Sequence, residues 1–175
     1  MCSSDLLNPQ ALKTYSGLLN GVTPSMTVTK IGANVQVFTG ANTYAGNTIL
    51  TGAGAMQIGV DPVGTVGSIT SSALGVGTLV FNGGALASNS TTARTILNAV
   101  AFTGNATLGD ATNTGKLTFS ANVDLGGAVR TITVNSAAQF DGNLGGNGGG
   151  ITKAGTGLLI LNGAANSNSG ATTIS

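Results

Sequence analysis

The sequence contains no histidine, no glutamate and no tryptophan, and it has a single cysteine, Cys2. One cysteine excludes an internal disulfide. Without histidine, the usual ligand sets of zinc and the serine- or cysteine-based catalytic triads cannot be assembled. We therefore expect no metal, no cofactor and no nucleophilic catalysis.

Charge is equally scarce, because charged residues make up 6% of the chain against about 25% in an average domain. The six basic residues are single and scattered, so no basic patch could neutralise the phosphates of a nucleic acid. No apolar run approaches the roughly 18 residues of a membrane-spanning helix. Hydrophobic residues still supply 41% of the sequence, which favours a packed chain over a disordered one.

The first six residues stand apart from the rest. MCSSDL is what a common sequencing adapter encodes when it is read in frame, so we expect residues 1–6 to be an artefact and the natural chain to enter at about Leu7. A genuine short N-terminus is the alternative. On the artefact interpretation the chain is a fragment of a longer protein, and the lack of a signal peptide carries no information. Residues 1 to about 8 should pack poorly, because they lie outside the repeat pattern.

One block of sequence occurs twice in a chain dominated by glycine, threonine, asparagine and alanine. Residues 28–50 read VTKIGANVQVFTGANTYAGNTIL, and residues 151–174 read ITKAGTGLLILNGAANSNSGATTI, with one inserted residue near Ala165. A recurring block in such a chain indicates stacked repeats and not a compact enzyme. Residues 7–175 are therefore expected to form one solenoid segment.

Short β-prone runs recur between glycine and asparagine residues. They are three to six residues long, and several alternate apolar with polar residues, which is typical of strands. Thr91–Val100 is the best candidate for a helical turn, but its threonines favour a strand. The predicted strands are Val35–Phe38, Ala55–Val60, Thr78–Phe81, Val100–Phe102, Lys116–Phe119, Thr131–Val134, Ala138–Phe140 and Leu158–Leu161.

Large apolar residues return at a nearly regular interval, and the shortest step lies between Phe102 and Phe119. This period predicts an all-β fold, a right-handed single-stranded parallel β-helix with about 20 residues per rung, where a rung is one full coil of the chain. The series should stack at one azimuth, and its last five members should be buried. A β-sandwich with evenly spaced strands is the alternative. The series is Phe38, Ile58, Phe81, Phe102, Phe119, Phe140 and Leu161.

Residues 130–174 resemble the passenger-associated transport repeat, also called the autotransporter-associated β-strand repeat, of bacterial autotransporters. The usual pattern is G-G-L-T-K-x-G-x-G-x-L-x-L-x-G-x-N-x-Y-x-G-x-T. Asn168 stands where tyrosine is usual, whereas Tyr44 occupies that place in the earlier block, and Asn34 makes that block the weaker copy because a glycine is usual there. The matching residues of the second block are Gly149, Gly150, Ile151, Thr152, Lys153, Gly155, Gly157, Leu159, Leu161, Gly163, Asn166, Gly170 and Thr172.

The resemblance implies a secreted parallel β-helix of the pectin lyase-like kind, carried to the surface of a Gram-negative cell by type V secretion. The translocator would be a C-terminal outer-membrane β-barrel of the full-length protein. The expected function is a non-catalytic, extracellular stalk or passenger segment that binds no nucleic acid and has no membrane span of its own. Two alternatives stay open: an adhesin surface that contacts glycans or host cells, and a fragment of a β-helical polysaccharide lyase or hydrolase.

The enzyme alternative would need clustered carboxylates, either as an acid and base pair or as Ca²⁺ ligands. The acidic residues are single and most stand in turn-like contexts, so we interpret them as turn residues that accept hydrogen bonds from nearby backbone. Asp124 and Asp141 have the same separation as Phe102 and Phe119, so they could stack on neighbouring rungs. We predict no catalytic, cofactor-binding or metal-binding residues. The acidic residues are Asp5, Asp61, Asp110, Asp124 and Asp141.

Lys30 and Lys153 occupy the same position of the two blocks. A basic ladder for an anionic glycan is one hypothesis. We favour solvated turn residues that prevent edge pairing between molecules. The glycine-rich run at residues 145–150 lacks the Lys-Ser or Lys-Thr of a phosphate-binding loop, and it is interpreted as a bend.

Overall fold

The computed structural model of the chain describes residues 13–21 and 26–175. In these residues the protein is all-β without a helix, and parallel strands stack into a β-solenoid of about eight rungs with about 21 residues each. The predicted stack of parallel rungs is confirmed, and the sandwich alternative is wrong. A right-handed coil is expected because nearly all parallel crossovers are right-handed. The hand of the coil stays a prediction. The predictions for residues 1–8, Cys2 and Asp5 lie outside the described residues.

Twenty short strands build the rungs. All but two of them pair only with parallel neighbours. In chain order they are β1 Lys13–Tyr15, β2 Val28–Lys30, β3 Gln36–Phe38, β4 Thr48–Thr51, β5 Ala55–Ile58, β6 Val63–Thr65, β7 Ser68–Ser71, β8 Leu79–Asn82, β9 Ala85–Ser88, β10 Arg94–Ile96, β11 Val100–Phe102, β12 Ala106–Leu108, β13 Leu117–Phe119, β14 Val123–Asp124, β15 Val129–Val134, β16 Ala138–Phe140, β17 Leu144–Gly145, β18 Gly150–Ala154, β19 Leu159–Leu161 and β20 Thr172–Ile174.

Three parallel sheets form the walls of the solenoid. An eight-stranded sheet joins β1, β3, β5, β9, β12, β15, β18 and β20; a six-stranded sheet joins β2, β4, β8, β11, β14 and β17; and a four-stranded sheet joins β10, β13, β16 and β19. Between β10 and β18 the chain visits the four-, six- and eight-stranded walls in that order on every rung.

A β-hairpin interrupts one rung. Its strands β6 and β7 pair antiparallel and form a separate two-stranded sheet. The insertion lengthens that rung, because the chain between the paired residues Thr48 and Leu79 contains the hairpin, whereas the chain between Leu79 and its next partner Val100 does not. Val63 and Val66 are 58% and 51% exposed, so the hairpin projects from the wall into solvent.

The large apolar residues of the predicted series do not share one azimuth, and that part of the prediction is wrong. They divide among the three walls, because two steps are shorter than the rungs that contain them. The step from Ile58 to Phe81 leads from the eight-stranded to the six-stranded wall, because the partner of Ile58 in the next rung is Ser88. The step from Phe102 to Phe119 leads past β12 to the four-stranded wall. The paired members are Phe81 with Phe102 in the six-stranded sheet, Phe119 with Phe140 in the four-stranded sheet, and Phe38 with Ile58 in the eight-stranded sheet.

Aromatic contacts join these columns inside the solenoid. Phe81 stacks on Phe102 with ring centroids 5.0 Å apart and meets Phe119 of another wall at 6.4 Å. Phe119 lies 5.0 Å from Phe140, and all four rings are buried as predicted. The predicted burial of Leu161 is wrong. It is 37% exposed because β19 pairs with β16 on one side and with no described strand on the other.

Irregular backbone replaces the four-stranded wall before β10. Residues 39–47 connect β3 to β4, as β10 connects β9 to β11, and they carry buried polar side chains. Asn42 donates from Nδ2 to the Ala73 carbonyl at 2.8 Å. The Tyr44 hydroxyl lies 2.6 Å from Thr48 Oγ1, which donates to the Leu74 carbonyl at 2.7 Å. These bonds satisfy buried groups that a sheet would otherwise pair.

Candidate functional site

The Thr-Lys-x-Gly step has one geometry in both repeat blocks. Lys30 Nζ donates to the carbonyls of Ile31 at 2.8 Å and Gly32 at 3.1 Å. Lys153 Nζ donates likewise to the carbonyl of Gly155. Gly32 and Gly155 have φ of 75° and 79°, a left-handed conformation that only glycine adopts without strain. The lysine therefore closes a tight turn at the end of its strand.

Each lysine stem also covers the core. Lys30 pairs with the fully buried Leu50 and is 4% exposed, and Lys153 pairs with the fully buried Ile132. The aliphatic stems pack on apolar residues while the ammonium groups reach the turn carbonyls, and burial lowers the pKa of Lys30. The interpretation of Lys30 as a solvated turn residue is wrong. The basic ladder is wrong as well, because β2 and β18 belong to different sheets.

The repeat asparagine ties one rung to the preceding one. Asn42 Oδ1 accepts a hydrogen bond from the backbone nitrogen of Leu19, 23 residues earlier, at 2.9 Å. Asn166 Oδ1 accepts from the backbone nitrogen of Leu144, 22 residues earlier, at 2.8 Å. The two blocks thus share this device although they lie on different walls.

Tyr44 fills the tyrosine position of the first block and is fully buried. Burial raises its pKa to about 12, although the hydrogen bond to Thr48 acts in the opposite direction. A Cβ at Gly75 would lie 2.5 Å from the Tyr44 ring, and Gly75 has φ of 67°. The ring therefore depends on a glycine beyond the hairpin, which the repeat pattern alone did not reveal.

Asp110 is held from two directions. Its Oδ1 accepts from the backbone nitrogens of Thr112 and Asn113, and its Oδ2 accepts from Gln57 Nε2 at 2.8 Å. Partial burial alone would raise the pKa of Asp110, but the hydrogen bonds from Asn113, Thr112 and Gln57 outweigh burial and lower it. Gln57 reaches Asp110 across the rung of Ala87, which is fully buried. The prediction of a turn-forming aspartate is confirmed here and extended by this clamp.

Asp124 and Asp61 make separate contacts, one local and one between distant residues. Asp124 accepts from the backbone nitrogen of Gly126 at 2.8 Å, as predicted for a turn residue. Asp61 accepts from the backbone nitrogen of Thr95, 34 residues away, at 3.0 Å and lies 3.5 Å from Arg94. These contacts fix the base of the hairpin, so the interpretation of Asp61 as a turn residue that bonds nearby backbone is wrong. The four carboxylates make separate hydrogen bonds, and no group of three potential metal ligands occurs in residues 13–21 and 26–175.

Asp141 belongs to a row of polar side chains across three rungs. Its Oδ1 accepts from Gln139 Nε2 at 2.6 Å and from Asn162 Nδ2 at 2.9 Å, and these bonds lower the pKa of Asp141. Lys116 Nζ donates to Gln139 Oε1 at 3.1 Å. Asp141 follows β16 of the four-stranded wall, whereas Asp124 lies in β14 of the six-stranded wall. The hypothesis that Asp124 and Asp141 stack is therefore wrong. The interpretation of Asp141 as an acceptor of nearby backbone is wrong as well, because both its donors are side chains.

A shallow groove of ≈ 710 Å³ crosses the outside of the six-stranded wall. Three of its lining residues, Val100, Val123 and Leu144, are also buried members of the core. No prediction from the sequence pointed to this groove, because its shape depends on which small residues the rungs bring side by side. The lining includes Ala99, Ala101, Asn122, Asp124, Asn143 and Gly145.

The glycine-rich run at residues 145–150 is a bend, as predicted. Gly146 and Gly148 have φ of 103° and 78°, and the run joins β17 to β18.

Within the described ranges, no helix is long and apolar enough to cross a membrane.

Comparison with known families places these features in a wider group. The family model of the passenger-associated-transport-repeat matches residues 28–58 and 151–175. These segments contain both blocks, with the lysine-closed turns and the rung-linking asparagines described above. The two matched segments are consistent with the repeats of an autotransporter passenger. No curated protein and no solved structure matches the chain.

Proposed function

We propose that this chain is a non-catalytic stalk segment in the passenger of an autotransporter-like bacterial surface protein, located outside the cell. The observation that carries the proposal is the unbroken eight-stranded sheet, which runs from β1 to β20. About eight rungs spaced about 4.8 Å apart give a rod on the order of 40 Å long. Such a rod would hold a distal region away from the cell.

The local pairing of the rungs also suits delivery of an unfolded chain. Each rung of a solenoid contacts only its neighbours, so folding can proceed stepwise as the chain emerges. The scarcity of cysteine agrees, because a disulfide formed before export would obstruct passage. The described carboxylates are engaged in separate hydrogen bonds, and the phenylalanines are buried, which supports a structural role over a sugar-cleaving one.

Surface display tests the proposal. Residues 7–175 would be placed between an N-terminal signal peptide with an epitope tag and an outer-membrane translocator barrel, and the tag would be detected with antibody on intact cells. We expect display with the natural sequence. A matched Leu108→Asp variant should lose display or become protease-sensitive, because a charge replaces a fully buried side chain. Equal, protease-resistant display of both would contradict a role that depends on stacked rungs.

An adhesin surface is the second candidate, and the groove on the six-stranded wall favours it. The groove is within the size range of ligand sites. Asn122 and Asn143 hold their side chains by accepting backbone hydrogen bonds from the next rung at 3.0 and 2.9 Å. Binding to a glycan array that Ala101→Arg abolishes, and that Thr118→Arg on the four-stranded wall leaves intact, would establish this candidate. Equal loss or no binding would count against it.

A further inference from the structure

We propose that Asn162 is the site at which this chain modifies itself, by deamidation through a succinimide. The chain contains four Asn-Gly pairs, the sequence in which this reaction is fastest because glycine leaves the following nitrogen unhindered. Gly21 borders residues outside the described ranges, so the comparison uses the other three. The pairs are Asn20-Gly21, Asn82-Gly83, Asn147-Gly148 and Asn162-Gly163.

The reaction needs only water. The backbone nitrogen of Gly163 loses its proton and attacks Cγ of Asn162; the new N–Cγ bond closes a five-membered ring, and the Cγ–Nδ2 bond breaks as ammonia leaves with that proton. Water then opens the ring at either carbonyl and gives aspartate or isoaspartate. The attacking nitrogen must be free to lose its proton, so a hydrogen bond that it donates to an acceptor protects the pair.

Two of the three pairs are protected in this way. The Gly83 nitrogen donates to the Asn105 carbonyl at 2.9 Å, and Asn82 is held in β8. The Gly148 nitrogen donates to Ser169 Oγ at 2.9 Å. Both glycines are therefore fixed by a neighbouring rung.

Asn162-Gly163 lacks this protection. Among the described residues the Gly163 nitrogen donates no hydrogen bond, and the nearby carbonyl of Phe140 accepts only from the backbone nitrogen of Asn162, at 2.8 Å. Asn162 lies just beyond β19, outside any strand, and it is exposed. The Asn162 side chain makes one bond, from Nδ2 to Asp141 Oδ1 at 2.9 Å. The pair is thus both accessible and unrestrained at the reacting nitrogen.

The modification would change the contact between rungs. The Asn162 amide donates to Asp141, and deamidation replaces that donor by a second carboxylate. Two carboxylates then face each other at the end of the polar row that includes Gln139 and Lys116. The repulsion weakens the contact between the last rung, which contains β19, and the rung that contains β16.

Peptide mapping by mass spectrometry tests the proposal on the full chain, incubated folded at mildly alkaline pH. Trypsin separates the three pairs, because cleavage after Arg94, Arg130 and Lys153 places them in different peptides. We expect deamidation at Asn162 about fivefold or more faster than at Asn82 and Asn147, the factor given by one hydrogen bond of ordinary net strength. In denaturant the three rates should converge.

Conversion of Asn82 or Asn147 as fast as Asn162 in the folded chain would overturn the proposal, and so would rates that keep the same order in denaturant. Asn162→Gln is the matched control, because it keeps the amide donor but needs a less favourable six-membered ring. Asn162→Asp should speed amide exchange in residues 159–161, and adding Asp141→Asn should restore protection. Unchanged exchange in Asn162→Asp would contradict the predicted effect on the rung.

Discussion

Lys30 Nζ donates a hydrogen bond of 3.1 Å to the carbonyl of Gly32, and this bond links the core of the solenoid to its turns. The Lys30 backbone pairs with Leu50, a core residue, and the ammonium group of Lys30 caps the turn. The second repeat repeats the contact between Lys153 and Gly155. A lysine two residues before a left-handed glycine is thus a structural element of the repeat and not a ligand site.

Lys30→Met should keep the free energy of unfolding within about 1 kcal/mol of the natural chain at neutral pH, because methionine keeps an apolar stem and removes a buried charge. Lys30→Ala should destabilise by about 2 kcal/mol, because the stem is lost as well. Urea denaturation followed by circular dichroism measures both. Equal losses in the two variants would contradict the packing role of the stem.

The same lysine predicts a pH dependence. Its pKa is lowered from 10.5 in the folded chain, so the unfolded chain binds the proton more tightly. Stability should therefore rise as pH increases through the folded pKa towards 10.5. Lys30→Met should lack this rise when its stability is compared with that of the natural chain. A difference between the two chains that does not vary in this window would refute the burial of the ammonium.

Tyr44 predicts the opposite trend in alkali. Its pKa is raised from 10.0 to about 12, so the folded chain keeps the proton that the unfolded chain loses. Stability should fall as pH rises through this interval, by up to about 3 kcal/mol. Tyr44→Phe should remove the fall and cost about 1 kcal/mol at neutral pH, because Thr48 still donates to Leu74. A fall of the same size in Tyr44→Phe would show that another group causes it.

Replacing different carboxylates by asparagine should lower the stability of the protein by different amounts. Asp110 uses both oxygens as acceptors, so Asp110→Asn should cost about 1 kcal/mol by losing one acceptor opposite Gln57 or the turn. Asp124→Asn is the matched control, because asparagine still accepts from Gly126. Thermal unfolding of the two variants distinguishes them, and an equal loss in both would contradict the clamp between Gln57 and Asp110.

Absence of catalysis is tested by changing Asp61, Asp110, Asp124 and Asp141 together to asparagine. Any glycan binding should survive in a folded variant, because asparagine preserves most local hydrogen bonds but can act neither as a general acid nor as a charged Ca²⁺ ligand. The measurement is glycan binding and polysaccharide cleavage by both chains. Cleavage by the natural chain that disappears in the variant would support the lyase or hydrolase alternative.

The outer rung predicts self-association. Within residues 13–21 and 26–175, the strands β19 and β20 each pair on one side only, and Leu158 and Ile174 are 61% and 72% exposed. Unpaired apolar strand edges without charge favour pairing between molecules. Sedimentation velocity should show association that increases with concentration and that Ile174→Lys reduces. A monomer with a sharp, concentration-independent thermal transition would contradict this prediction.

The eight strands predicted from the sequence are all present, because their pattern is local, but strands such as β2, β4, β9, β12 and β18 were not predicted. Val100–Phe102 and Ala138–Phe140 have the predicted bounds, and other predicted strands differ by one or two residues at an end. The distribution of phenylalanines among three walls was not predictable from their average period, because a rung has three corners and the short step from Phe102 to Phe119 crosses two of them. The hairpin of β6 and β7 was not predicted either, because its two short strands have the same lengths and spacing as strands that form rungs.

The features of the candidate site depended on contacts between distant residues. The repeat pattern identified Lys30, Lys153 and Tyr44, but it could not show that the lysine stems point inward or that Tyr44 needs Gly75. The clamp between Gln57 and Asp110 spans 53 residues, and only the register of the rungs brings the two together.

The central claim, that these rungs stack in register into one rod, is tested most directly by cysteine cross-linking. In a Cys2→Ser background, Thr107→Cys with Thr133→Cys pairs two directly opposed residues of β12 and β15, at a spacing that suits a disulfide. The control, Thr107→Cys with Thr118→Cys, joins residues closer in sequence but on different walls. The account predicts rapid disulfide formation in the first monomer and none in the control. Cross-linking of the control without the first would contradict it.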